Sequence, residues 1–114
     1  MSFDRTPIAP ERTGGLIDIE TEDTLRTTLA EHDEVIVDFF ADWCGPCQQQ
    51  TPIMEELAGR VDAPILSVDT DEFQSLAAQA GVRSIPTIVV YRSGEEVERF
   101  VGITAGDTIR HALE

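Results

Sequence analysis

Lysine is absent from this sequence, and its eight basic residues, all arginine, stand against 22 Asp and Glu. The resulting net charge of −14 leaves no basic stripe to meet phosphates, so nucleic-acid binding is not expected. The acids are spread from Asp18-Glu20-Glu22-Asp23 through Asp69-Asp71-Glu72 to Glu95-Glu96-Glu98, rather than gathered in one patch for a basic partner. Such self-repulsion costs stability in dilute salt and is screened within about 3 Å at 1 M ionic strength. The expected setting is therefore an organism with a salty cytoplasm. No apolar run approaches the roughly 20 residues that span a bilayer, so no membrane segment is expected. Met1 to Gly15 carries Asp4, Arg5, Glu11 and Arg12 without an apolar run, which does not fit a secretory signal, and a cytoplasmic location is expected. Cysteine is scarce: only Cys44 and Cys47 occur. A zinc site needs about four ligands, and the remaining donors, His32 and His111, stand at no ligand-like spacing, so no metal is expected. Repeats and low-complexity segments are also missing.

At 114 residues, 41% of them hydrophobic, the chain is long enough for one core that buries roughly two-thirds of its unfolded surface. Residues 1–15, with Pro7, Pro10 and Gly14-Gly15, read as a mobile leader before a single domain over 16–114. Leu16 to Ile19 alternates like a short edge strand. Thr21 is placed to cap a helix through Leu25 to Ala30, with Glu22 and Asp23 complementing its dipole. Val35 to Phe40 is a buried-strand pattern, and Gln48 to Arg60 a helix with Ile53, Met54 and Leu57 at helical spacing and Pro52 bending it. Pro64 to Asp69 reads as a third strand. Glu72 to Ala80 reads as a helix capped by Asp71 or Thr70 and ended by Gly81. Alternating strands and helices imply parallel pairing by right-handed crossovers. Thr87 to Arg92 and Glu96 to Val101, separated by Ser93-Gly94, then form an antiparallel hairpin. Thr104 is expected to cap a last helix carrying Ile109 and Leu113. The fold class is α/β, a mixed sheet of about five strands flanked by about four helices.

Chemistry concentrates in Trp43-Cys44-Gly45-Pro46-Cys47, where the central strand hands over to a helix N-terminus. Orphan N–H groups and the helix dipole favour negative charge there, and the thiolate is the reactive form of cysteine. Pro46 suits a first helical turn, where its missing N–H leaves nothing unsatisfied. Two cysteines three apart share one helix face and can close a small disulfide. A purely structural bridge is the alternative, but so short a loop removes little chain entropy. Cys44, nearer the exposed loop, is the expected nucleophile. Cys47, one turn deeper and more shielded, is the resolving thiol. Asp38 interrupts an apolar strand; a buried carboxyl there should resist ionising, unless it reaches water at the strand end.

Taken together, Trp43-Cys44-Gly45-Pro46-Cys47, Asp38 and Ile85-Pro86-Thr87 before a strand resemble the thioredoxin family, from about Gly15 to the C-terminus. The resemblance implies the thioredoxin fold and a dithiol–disulfide oxidoreductase that reduces protein disulfides. Its catalytic set would be Cys44, Cys47, Asp38 and Pro86, with Asp38 taking the proton of Cys47 and Pro86 in a cis bond facing the dithiol. Trp43, Gly45, Pro46, Ile85 and Gly102, with Val101 and Ile103, would form a flat apolar client groove; Trp43 as a core residue and Pro86 as a plain turn proline are the alternatives. No bound cofactor is implied. The expected partners are a thioredoxin reductase and client proteins with disulfides, with no nucleic acid or membrane, and the chain is expected to act as a monomer. Three positions depart from the commonest family pattern. Phe40 stands where an indole or phenol is frequent, Gln48 replaces a basic residue after the second cysteine, and Ile65 is read as the strand position where a lysine often faces the buried Asp. A disulfide oxidase or isomerase, or a binding subunit that uses the fold only for docking, would fit the same pattern.

Overall fold

The chain's alternation of strand and helix folds into a mixed sheet sandwiched between helices in the computed structural model, which describes residues 15–114. The leader expected over residues 1–15 lies outside the described residues except for Gly15. The elements run β1 (Leu16–Asp18), α1 (Glu22–Glu31), β2 (Glu34–Phe40), α2 (Gly45–Ala58), β3 (Ile65–Asp69), α3 (Gln74–Gln79), β4 (Thr87–Arg92), β5 (Glu95–Val101) and α4 (Gly106–Arg110). The sheet order is β1-β3-β2-β4-β5, so β2 lies at the centre and β1 and β5 are the edges. β1, β2 and β3 are parallel, as helical crossovers require; β4 runs antiparallel to β2, and β5 to β4. Ser93 and Gly94 both have positive φ, +55° and +81°, the geometry a two-residue hairpin demands for its strands to keep their twist.

The central strand alternates between two cores. Val35, Val37 and Phe39 pack with Leu25 of α1 and with Phe73 and Leu76 at α3. Ile36 faces the opposite side with Met54 and Leu57 of α2 and Ile109 of α4. Each such fully buried aliphatic side chain contributes about 1.5–3 kcal/mol. Both sheet faces are thus covered, which explains why β2 is apolar on both faces from Val35 to Phe40 except at Asp38.

The α1 start is as the sequence implies: the Thr21 hydroxyl accepts the N–H of Thr24 at 3.4 Å, and Glu22 and Asp23 occupy the first turn. The starts of the three other helices differ. α2 begins at Gly45 rather than Gln48, so the segment between the cysteines is itself helical, and Pro52 lies inside that helix. α3 begins at Gln74, behind Phe73, with no side-chain cap; neither Asp71 nor Thr70 caps it. Instead Asp69 ends β3 and its carboxylate accepts the N–H groups of Asp71 (2.8 Å) and Glu72 (3.3 Å), holding the turn. α4 is preceded by Ala105, not capped by Thr104. The buried Gln50 side chain takes both backbone groups of Thr104, accepting its N–H at 2.8 Å and donating to its carbonyl at 2.9 Å. The Thr104 hydroxyl then donates to Gly102 O at 2.9 Å, and Leu113 falls beyond the helix. These long-range polar contacts outcompete local capping and tie α2 to the loop after β5.

Candidate active site

Cys44 is the N-cap of α2, and its sulfur accepts the backbone N–H of Cys47 at 3.1 Å. Pro46 occupies the first turn. The two cysteines are joined as a disulfide, with Cα atoms 5.2 Å apart. An N–H aimed at the sulfur, on the positive end of a 14-residue helix, favours a thiolate at Cys44 once the bond is reduced. The expected contrast in shielding is not seen as exposed area: Cys44 is 4% and Cys47 3% exposed. Both pack with Ala41, Phe40 and Ile85. What separates them is the groove, because Cys44 lines it and Cys47 does not.

That groove, of about 440 Å³, is also lined by Trp43, Gly45, Pro46, Val82, Arg83 and Ile85. Trp43 is 70% exposed, which rules out a core role. Its indole N–H donates to Asp71 Oδ2 at 2.8 Å, so the loop after β3 holds the ring over the groove. The Ile85–Pro86 bond is cis, as the resemblance implies, and the Ile85 carbonyl oxygen lies 3.7 Å from Cys44 Sγ. Gly102, at φ +90°, does not line the groove but donates its N–H to Pro86 O at 2.8 Å. Val101 and Ile103 flank it as exposed apolar shoulders. Gln48 turns its amide to Asp42 O at 3.2 Å, so no positive charge replaces the basic residue often found there.

Asp38 lies on the α2 side of β2, 4% exposed, and its Oδ1 has no hydrogen-bond partner among the described residues. Burial pushes its carboxyl up to about 7. It opens on a second cavity, of about 340 Å³, lined also by Asp18, Asp42, Thr51, Glu55 and Ser67. Thr51 connects this cavity to the dithiol, because its hydroxyl donates to the carbonyl of Cys47 at 3.1 Å. In the sheet register Ser67 is level with Asp38 and Ile65 with Ile36, so Ile65 is the diagonal neighbour of Asp38 on the same face and brings no charge to it. Ser67, Asp71 and Arg83 were all missed as site residues by sequence reasoning. Only Arg83 carried a signal, its place two residues before Ile85-Pro86.

The thioredoxin family model matches residues 17–114. The chain belongs to the thioredoxin family. It is 41% identical over 95 residues to the thioredoxin of Chlamydia muridarum, covering 82% of this chain and 92% of that protein. It is 37% identical over 97 residues to thioredoxin 1 of a Nostoc species, with 82% and 91% covered. Among solved structures, a mutant thioredoxin from Halobacterium salinarum superposes with a TM-score of 0.83 at 38% identity, over 90% of each chain. The architecture is the thioredoxin fold, and the protein is a thiol–disulfide oxidoreductase whose redox pair is Cys44 and Cys47. Clients with disulfides and a reductase are its partners in general terms. Among the described residues no helix is long and apolar enough to cross a membrane.

Proposed function

We propose that this thioredoxin works as a monomeric, cytoplasmic reductant of protein disulfides, recharged by a separate thioredoxin reductase. Residues 16–114 act as the working domain and residues 1–15 as a leader outside it. The observation that carries the reading is Cys44 at the N-cap of α2, its sulfur facing an apolar groove beside Ile85–Pro86. The Cys44 thiolate attacks one sulfur of a client disulfide, forming a mixed disulfide and expelling a client thiolate. Cys47 then loses its proton to Asp38 and attacks Cys44 Sγ. The second client thiolate leaves, the Cys44–Cys47 bond closes, and two electrons have passed to the client. A carboxyl half-ionised near neutral pH suits this transfer, since a proton acceptor works best near the operating pH. Trp43, Gly45, Pro46 and Ile85 hold the extended client against Cys44, and Gly102 steadies Pro86 beside them through its N–H bond to Pro86 O.

The same reading places the protein in a salty cytoplasm. Support comes from its net charge of −14, its lack of lysine, and its likeness to a structure from Halobacterium salinarum, a halophile.

The test is trapping. With a disulfide client such as insulin, Cys47→Ser accumulates a mixed disulfide on Cys44, seen by mass spectrometry after alkylation, and Cys44→Ser accumulates none. Trapping by Cys44→Ser instead reverses the roles. Insulin reduction surviving loss of both cysteines removes the function altogether.

A further inference from the structure

Arg83 is the one charged side chain among the residues that line the groove beside Cys44. It is also exposed, and it stands apart from the other arginines of the described residues. Arg26 pairs with Glu22 and Asp23 at 3.1 Å, Arg60 with Asp107 at 2.8 Å, Arg92 with Glu34 at 2.7 Å, Arg99 with Glu96 at 2.7 Å, and Arg110 with Asp107 at 3.5 Å. Arg83 has no ion pair with any described residue, in a chain where 22 acids outnumber eight bases. With no lysine in the chain, it is the only cationic side chain among the described residues that line the groove.

From this placement we infer that Arg83 selects clients carrying an aspartate or glutamate close to the disulfide to be reduced. The inference rests on the groove being where the client lies. A guanidinium presents a planar fork of N–H donors that matches a carboxylate. Arg83 stands two positions before Ile85, about 7 Å of extended chain, so a client strand running past Ile85 brings to Arg83 a residue within about three positions of its reacting cysteine. The acidic surface repels an acidic client at long range, and that repulsion falls within about 3 Å at 1 M salt. A pair made in contact is screened less. Arg83 therefore supplies a local preference that the overall charge opposes.

The experiment measures kcat/KM for three disulfide peptides that differ only in carrying Asp, Ser or Lys two residues from the cysteine. The wild-type protein is compared with Arg83→Gln, Arg83→Glu and Arg26→Gln, the last removing one positive charge far along the chain on α1. The ratio of the Asp to the Lys peptide should fall about fivefold in Arg83→Gln, the size of one favourable exposed ion pair, and further in Arg83→Glu. The Ser peptide should keep its rate, and Arg26→Gln should leave the ratio as in wild type. An unchanged ratio in the Arg83 variants overturns the inference, as does an equal change in Arg26→Gln, which would make it an effect of net charge. Equal loss on all three peptides would make Arg83 a support of the loop and also overturn it. The groove reading fails separately, if Trp43→Ala leaves the Ser peptide's kinetics untouched.

Discussion

Replacing Asp38 with Asn removes one buried carboxyl while keeping its shape, and the consequence is a change in how stability depends on pH. In the folded protein the group ionises near 7 rather than its ordinary 3.8, because burial disfavours the charged form and Oδ1 has no donor to offset it. A shift of that size, at 1.36 kcal/mol per unit, corresponds to about 4 kcal/mol. The sign follows from proton counting. Between pH 3.8 and about 7 the folded state holds a proton that the unfolded chain releases, so the folded state is favoured by acid. The stabilisation is complete below 3.8, falls as pH rises through the window, and is gone above about 7. Asn has no such dependence. Its amide, with an unpartnered site to fill, shifts the whole curve by about 1–3 kcal/mol, and this offset is the same at every pH. Urea unfolding of the oxidised wild type and Asp38→Asn from pH 4 to pH 9, at constant salt, should therefore show a stability difference that moves by about 4 kcal/mol in favour of Asn. Most of the movement should fall between pH 4 and about 7. The other carboxylates titrate in both proteins and cancel. Two parallel curves would show that Asp38 is an ordinary solvated carboxylate and would refute the argument. In the reductase assay the same substitution should slow turnover more at neutral than at high pH, and equal slowing throughout would discard the proton-acceptor role.

Two further outcomes are open to direct measurement. Trp43→Ala should raise the KM for peptide disulfides about fivefold to thirtyfold, as loss of an aromatic anchor does. Stability should stay within about 0.5 kcal/mol, since the ring is 70% exposed in the free protein; an unchanged KM would remove Trp43 from the groove's contribution to binding. Raising KCl from 0.1 M to 2 M should lift the melting temperature by about 5 °C or more, as the −14 charge is screened. A flat or falling series would rule out adaptation to salt.

The parts of this protein that were legible in the sequence are those decided within one or two turns of chain. Thr21 followed by Glu22 and Asp23 announces a helix start because the cap, its target N–H and the dipole lie within a few residues. The dithiol announces itself for the same reason, since both cysteines and the helix opening fall inside one loop. Ser93-Gly94 likewise needs only its own two φ angles to turn the chain. Thr104 misled because its backbone partner, Gln50, lies 54 residues away, and a buried amide that satisfies two backbone groups outweighs a local cap.

The composition and the Cys44–Cys47 spacing alone determined that this is a small acidic domain built for thiol chemistry, because charge count and helix-end electrostatics need no tertiary contact. Only the tertiary structure decided what surrounds that chemistry. Strand register placed Ser67 level with Asp38. Burial without a partner set the Asp38 carboxyl near neutrality. The approach of β4's leading loop to α2 put Arg83 at the edge of the groove, unpaired among the described residues. Each of these depends on which segments distant in sequence are packed together, and that follows from how two cores close on either side of one sheet.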